Sequence, residues 1–403
     1  MKKKQFLLLL IITIVFSCRS EDNSDLNENP TETSTDLKFN LSYKQSLGNI
    51  EIRQIIKTKD NQYIAIVFAD DYRIIKFDAN FNVVWDKIYG GSKKDYAESI
   101  LEDSQGNFLV IGESESTDGN IEQNYGSFDI FLIKIDRNGN LIWNKNYGGS
   151  GYEGVSQDNT IIETTNGNFI FVGYTASTNF DISNNNGGYD VWVSKIDNNG
   201  NLIKQKTYGG NNDDLGRKIS KLNNTFILTL KSNSTNNDFS QIGNWVVNID
   251  DELNIIWKKN TNGINSGCIN IYNDEILVVN STFTNYELHK LDSSGNIIKS
   301  SVINFSSQKQ PFANQITKSS DGGFLIIGDL GGGNEQDALI FKINKNFEKI
   351  TDNIITGNSY DKSRSIFPIQ TNKFLYFINS SSTNLQIPLS GKMSSIVTEI
   401  NEQ

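Results

Sequence analysis

The sequence predicts an all-β fold of repeated four-stranded units, and three observations carry the prediction. Residues 128–153, "FDIFLIKIDRNGNLIWNKNYGGSGYE", are matched by residues 189–214, "YDVWVSKIDNNGNLIKQKTYGGNNDD", and by residues 72–95. Each is an alternating apolar run, a turn built on Asp or Asn with Gly, a second run, and an aromatic followed by Gly-Gly, the signature of a β-hairpin. A second strand pair lies between successive copies, as in "AESILEDSQGNFLVIGES" from Ala97. The chain also ends one strand short of a complete unit and carries a surplus strand near its start. Together these features specify a seven-bladed β-propeller whose N-terminal strand closes the last blade.

Taken from the N-terminus, Lys2, Lys3 and Lys4 precede an apolar stretch from Phe6 to Phe16 that is short for a bilayer span. This pattern marks residues 1–17 as a signal peptide, to be set aside from the fold. The stretch ends in Val15-Phe16-Ser17-Cys18, which resembles the bacterial lipobox. The resemblance implies that Cys18 becomes the lipidated mature N-terminus, with palmitate among its acyl chains and the membrane as its first partner. Arg19-Ser20-Glu21-Asp22 is similar to the short acidic signal with which some Gram-negative bacteria send lipoproteins to the cell surface. Residues 18–37 offer almost nothing to bury and read as a flexible tether with a reach on the order of 25 Å. The expected location is the cell envelope, lipid-anchored to the outer membrane, surface-exposed if the acidic run acts as that signal and periplasmic or surface-exposed alike if it is only a solvated linker.

Residues 38–403 form the repeat. The hairpin residue recurs at Asp78, Asp136, Asp197, Asp250, Asp292, Asn344 and Asn401, at intervals of 58, 61, 53, 42, 52 and 57 residues. A second strand begins near Gln62, Asn107, Asn168, Thr225, Glu275, Gly323 and Lys373, again seven times. A period of about 54 residues divides the region into seven units. The last unit stops after its third strand, and "FNLSYKQSLG" from Phe39 has the spacing of the missing fourth.

"DIFLIKIDRNGNLIWNKNYGGSGYE" and its copies resemble the SBBP-type β-propeller repeat of extracytoplasmic bacterial proteins and lipoproteins. The resemblance covers residues 38–403, strongest in the first three units, and implies a fold and a location but no catalytic residues. The pattern departs from the Asp-box of sialidase propellers, since Asp136 and Gly139 are one residue too far apart and Trp143 comes late.

Naming the strands of a unit A to D, the A/B and C/D turns share one face and are tight, as in "DRNGN" and "DSSGN". The B/C and D/A connections share the other face and are long, including "SESTDGNIEQNYGS" from Ser114 and "TASTNFDISNNNGG" from Thr175. Binding residues concentrate on loops held by a rigid scaffold, so the long-loop face is the candidate site. The blade 7 strand D begins on the tight-turn face, which places the tether there and turns the long loops away from the membrane.

Composition narrows the chemistry. One His among 403 residues leaves no His cluster for zinc, and a net charge of −10 argues against a nucleic-acid partner. His289, within "YELHKLD", reads as a strand residue, and Cys268 as a buried thiol. Gly90, Gly148 and Gly209, the strand-entry residues Asp129, Asp190 and Asp337, and Trp85, Trp143 and Trp257 recur in equivalent places and serve blade geometry. Lys87, Lys145, Lys206 and Lys258 on the outer strand read as protection against edge-to-edge pairing. The candidate ligand-binding residues are Asp118, Asn120, Glu122 and Tyr125 on one loop, Asn179, Asp181 and Asn184 with Tyr189 on the next, and Asp238 on the third. Tyr96, Tyr152, Asp213 and Asp214 on the D/A loops face the same space. Such oxygen groups suit sugar hydroxyls or Ca²⁺, although no calcium-loop spacing is present and no other cofactor is expected. The expected function is a monomeric, non-enzymatic binding scaffold for protein or glycan. The alternatives are a glycan-cleaving hydrolase or lyase, which the fold does not exclude, and a structural subunit of an envelope complex.

Overall fold

A computed structural model describes residues 39–156, 158–263, 268–305, 309–332, 335–356, 359–382 and 394–402. The signal segment, Cys18, the tether and the tip of the last long loop lie outside the described residues. Alternating side chains on short strands cannot bury both faces of one hairpin, so the hairpins pair into sheets and the sheets stack. Seven antiparallel sheets result. Blade 1 comprises Ile52–Lys57, Tyr63–Val67, Tyr72–Phe77 and Val83–Tyr89, and blade 2 Asp95–Glu102, Phe108–Ser114, Asp129–Ile135 and Leu141–Tyr147, each in the order A to D. Blades 3 to 6 repeat the order. In the last blade Asp361–Gln370, Lys373–Ser380 and Ser394–Glu402 are joined by the N-terminal strand Phe39–Ser46, which pairs antiparallel from Phe39↔Glu402 to Ser46↔Ile396. Asn401, the last copy of the hairpin residue, therefore lies inside a strand, paired with Asn40, and not in a turn.

One apolar cluster fills each of the seven blade interfaces. Tyr72 and Ile74 of blade 1 meet Phe108 and Phe131 of blade 2, and at the closing interface Ile55, Phe77 and Phe81 meet Leu375, Phe377 and Val397. Burying each such side chain contributes about 1.5–3 kcal/mol, so closing the seventh interface is a large gain over an open arc. The outer strands add polar latches. Trp85 Nε1 donates to the Arg137 carbonyl at 3.1 Å, Trp143 to Asn198 at 3.0 Å and Trp257 to Ser293 at 2.9 Å, each reaching the C/D turn of the following blade. Lys87 and Lys206 join them, on the Gly139 carbonyl at 2.9 Å and on Asn254 Oδ1 at 2.5 Å, so these lysines tie blades together as well as guarding an edge.

The repeated turn Asp has a local job. Asp136 Oδ1 accepts the backbone amides of Asn138 at 2.8 Å and Asn140 at 2.7 Å, closing an Asx turn. The residue three places on lies in the left-handed region, as Gly139 (φ 71°), Gly200 (φ 78°) and Gly295 (φ 83°) but also Phe81 (φ 63°), Leu253 (φ 59°) and Phe347 (φ 65°). A non-glycine there costs roughly 1–2 kcal/mol. All three apolar replacements are buried between blades, and that burial offsets the strain.

The A strands surround the axis and touch in sequence around it. Arg53 pairs with Glu98, the Asp158 amide donates to the Glu98 carbonyl at 3.3 Å, the Ile219 amide to Asn159 at 2.8 Å, and Arg364 Nη2 lies 3.0 Å from Glu51. Five A strands carry a one-residue bulge near their start, at Arg53, Glu98, Arg217, Asn314 and Arg364. In blade 3 the A strand is broken at the same level into Glu153–Gly154 and Ile161–Glu163, a departure from the four uninterrupted strands that the period predicts. Asp158 (φ 64°) and Asn159 (φ 54°) lie in the gap.

Candidate functional site

The long-loop face is built by one recurring local motif. In blade 2 the Ser116 amide donates to Ser114 Oγ at 3.0 Å, and Ser116 Oγ to Asp95 Oδ2 at 3.0 Å. Asp118 Oδ1 accepts the Ser92 amide at 2.7 Å, and Asn120 Oδ1 the Gly90 amide at 3.1 Å. Blade 3 repeats these bonds with Asn179 on Ser150 at 2.9 Å and Asp181 on Gly148 at 3.1 Å. Blade 4 repeats them with Asn236 on Asn211 and Asp238 on Gly209, both at 3.0 Å. Each B/C loop is thereby clasped onto the Gly-Gly turn beneath it.

This motif locates the candidate residues one by one. Asp118, Asn120, Asn179, Asp181 and Asp238 do have repeat partners, and each gives a side-chain oxygen to a backbone amide. The Ser92 amide holds the Asp118 carboxyl below its ordinary range, whereas burial pushes that of Asp181 up. Asp214 is fully buried and accepts the Gly210 amide at 2.8 Å and the Ser234 hydroxyl at 2.8 Å. Asp213 Oδ1 accepts the Tyr189 amide at 3.1 Å. Tyr125 packs on Phe180 of the next loop, with centroids 4.7 Å apart. Glu122 and Asn184 are exposed at loop tips. Among the described residues no group of three His, Cys, Asp or Glu side chains could hold a metal ion. His289 shares a bond of 2.9 Å between Nδ1 and Ser300 Oγ, and burial lowers its pKa. Cys268 is a buried free thiol, pushed up to about 12 by burial.

What the face brings together is aromatic. Phe68 lies 6.5 Å from Tyr96, Tyr96 6.1 Å from Phe128, and Phe128 5.4 Å from Tyr152, centroid to centroid. Tyr152 continues to Tyr174 at 6.2 Å and Tyr189 at 6.0 Å. These six rings form an arc across blades 1 to 3, each partly open to solvent. The inner side of the arc is polar. The Arg53 guanidinium stands 4.8 Å from the Phe68 centroid and 5.8 Å from that of Tyr96. The Tyr152 hydroxyl donates to Glu113 Oε2 at 2.7 Å, and burial raises the pKa of both groups. Tyr96, Tyr152 and Tyr189 are among the sequence candidates, whereas Phe68, Phe128, Tyr174, Arg53 and Glu113 are not. One signal for them was present, since Phe128 and Tyr189 each directly precede a strand-entry Asp.

No family model matches the chain, and no curated protein matches it. Among solved structures it is similar to the Dos1 propeller, at 11% identity over 86% of this chain and 77% of that one, with a TM-score of 0.52. It is also similar to the AfRom2 CNH domain, at 9% identity over 89% of this chain and 98% of that one, with a TM-score of 0.50. Identities this low bear on the fold alone, and the fold is a β-propeller.

Proposed function

We propose that the protein is a lipid-anchored, non-enzymatic binding scaffold of the cell envelope, and that the aromatic arc of its long-loop face binds a glycan. The observation that carries this reading is the continuous run of six half-open rings from Phe68 to Tyr189. The negative faces of aromatic rings attract the C–H faces of pyranose sugars, and several rings in series suit a chain of residues better than a single small molecule. The loop carboxylates favour binding over acid–base chemistry, because Asp118, Asp181 and Asp238 are engaged by backbone amides. Cys18 and the tether supply the anchor in this reading.

The test is a glycan array with the chain from residue 19 onward, with and without Ca²⁺, followed by calorimetry on any hit. Tyr152→Ala and Tyr96→Ala are each expected to weaken binding at least about tenfold. Asp118→Asn keeps its acceptor for Ser92 and is expected to change affinity less than about twofold. Unaltered affinity in both tyrosine variants would sink the arc as the site.

A further inference from the structure

Among the described residues thirteen non-glycines lie in the left-handed region, of which nine are Asn or Asp and four are apolar. Phe81, Leu253 and Phe347 are buried between blades, and that burial offsets their strain. Phe180 (φ 57°) is 65% exposed, so burial offsets little of its own. It is the middle residue of the loop clasp in blade 3, between the acceptors Asn179 and Asp181. The same position is Gly119 (φ 67°) in blade 2 and Asn237 (φ 55°) in blade 4, the residue types that accept this conformation. A Cβ on Gly119 would lie 2.3 Å from the Gly90 carbonyl oxygen, to which the Asn120 amide donates at 2.9 Å. Blade 3, which does carry a Cβ there, has the longer bond, from the Asp181 amide to Gly148 at 3.2 Å. An aromatic ring kept against the backbone's preference and left in solvent points to a contact outside the chain.

Tyr125 packs against one face of Phe180, with centroids 4.7 Å apart and planes 31° apart, which leaves the other face of Phe180 open. The connection beneath them runs from Tyr147 on the outer strand of blade 2 to Glu153 on the inner strand of blade 3. Along it the Glu153 amide donates to the Phe128 carbonyl at 2.8 Å and the Ser127 amide to Gly151 at 3.0 Å. A Cβ on Gly126 would lie 2.5 Å from the carbonyl oxygens of both Gly149 and Gly151. Phe128, in the middle of the arc, therefore lies at the inner end of this connection and Tyr125 towards the outer end, no more than about 10 Å away along the chain. The surroundings carry no cation, since no Lys or Arg occurs between residues 95 and 133 or between 146 and 194, the stretches that hold both loops. Gln123 and Asn184 add exposed amides, and Glu122 an exposed acid. Rings and amides suit the C–H faces and hydroxyls of uncharged sugars and give an acidic chain nothing to pair with.

We propose that Phe180, backed by Tyr125, is a second subsite that takes a neutral sugar branch from the glycan held by the arc. The inference rests on the glycan reading of the arc. A linear chain lying along Phe68 to Tyr189 follows the ring of blades and passes inside Phe180. Only a unit that leaves this line at the junction of blades 2 and 3 reaches the open face. The arc then selects the backbone of the glycan, and Phe180 selects its substitution.

The chain from residue 19 onward is titrated with two pairs of neutral oligosaccharides, mannotetraose with and without a galactose branch and cellotetraose with and without xylose branches. In one pair or both, the branched form is expected to bind about tenfold more tightly than the linear one. Phe180→Gly and, separately, Phe180→Asn place the residues of blades 2 and 4 at this position. Each is expected to bring the branched form down to the affinity of the linear one, to leave the linear form unchanged and to leave the melting temperature of the free chain no lower. Equal or weaker affinity for both branched forms, or a preference that survives both substitutions, overturns the subsite and leaves the arc intact. A melting temperature lowered by more than about 5 °C in both variants would show that Phe180 is held for the fold, and overturns it too. If none of the four binds, the arc is judged by its own array, and the subsite by saturation transfer from the protein to methyl galactoside and methyl xyloside. Transfer that both variants lose supports it, and absent or unaltered transfer overturns it.

Discussion

At the scale of single residues, the Gly-Gly turns draw buried acids together. A Cβ on Gly148 would lie 2.5 Å from Asp129 Oδ1 and 2.7 Å from Glu153 Oε2, so only glycine fits between the two carboxylates. Asp129 Oδ2 accepts the Tyr125 amide at 2.6 Å, while Oδ1 is buried without a partner. Burial, with Glu153 and Asp181 nearby, pushes Asp129 up to about 7, and burial, with Asp214 and Asp238 nearby, does the same to Asp190. Both pKa values are raised on folding, so between about pH 4 and pH 7 the folded chain binds more protons than the unfolded one. Stability from these groups is therefore greatest below about pH 4 and is lost as pH rises through about 7. His289, lowered by burial, opposes this trend as a single group. Asp129→Asn keeps an acceptor for Tyr125 and places a donor towards Glu153. It is expected to raise the melting temperature at pH 8 by a few degrees more than at pH 5, and Asp190→Asn to do likewise. Equal shifts at the two pH values would refute the assignment.

At the scale of elements, the strand Phe39–Ser46 is the one whose removal opens the ring. It supplies the outer edge of the last blade through seven paired positions and packs Leu41 against the interface of blades 6 and 7. Each pair of strand hydrogen bonds contributes about 1 kcal/mol net, so deleting residues 38–48 is expected to lower the melting temperature by more than about 5 °C. An unchanged value in calorimetry would mean that the closure contributes nothing. Hairpins, their period and this closure were legible in the sequence because alternation and turn residues are local signals. The loop motif at Ser114, Thr175 and Ser232 was not, because Asp118, Asn179 and Asn236 present the same acceptor under different letters. The bulges at Arg53 and Arg364 were hidden because each falls near the start of its strand, where the phase shift of one extra residue spans too few positions to read. The break around Asp158 holds no Gly or Pro between Val155 and Thr160. The aromatic arc draws its rings from several strand ends, and the stacking of successive blades, which no local pattern reports, makes Phe68 and Tyr96 neighbours.

At the scale of the whole molecule, the strand directions fix which face the proposed N-terminal anchor would turn towards a membrane. Phe39 pairs with Glu402, whose amide donates at 2.8 Å to Asn372 in a tight A/B turn, so the chain leaves the ring on the tight-turn face. The arc lies at the opposite end of the strands, about 20–25 Å away for strands of seven residues. A flexible tether of about 20 residues adds on the order of 25 Å. With Cys18 in the bilayer, as proposed, the long-loop face would look outward and remain clear of the lipid surface. Cysteine labelling on intact cells tests this, since Cys268 is buried and Cys18 would carry lipid. A membrane-impermeant maleimide should modify Gln123→Cys, exposed on a long loop, several-fold faster than Asn138→Cys, exposed on a tight turn. The two rates should converge once the membrane is solubilised. Faster labelling at position 138 would reverse the orientation. Labelling of neither until the cells are permeabilised would place the propeller inside the outer membrane and remove surface display, while leaving the anchor and the arc to their own tests.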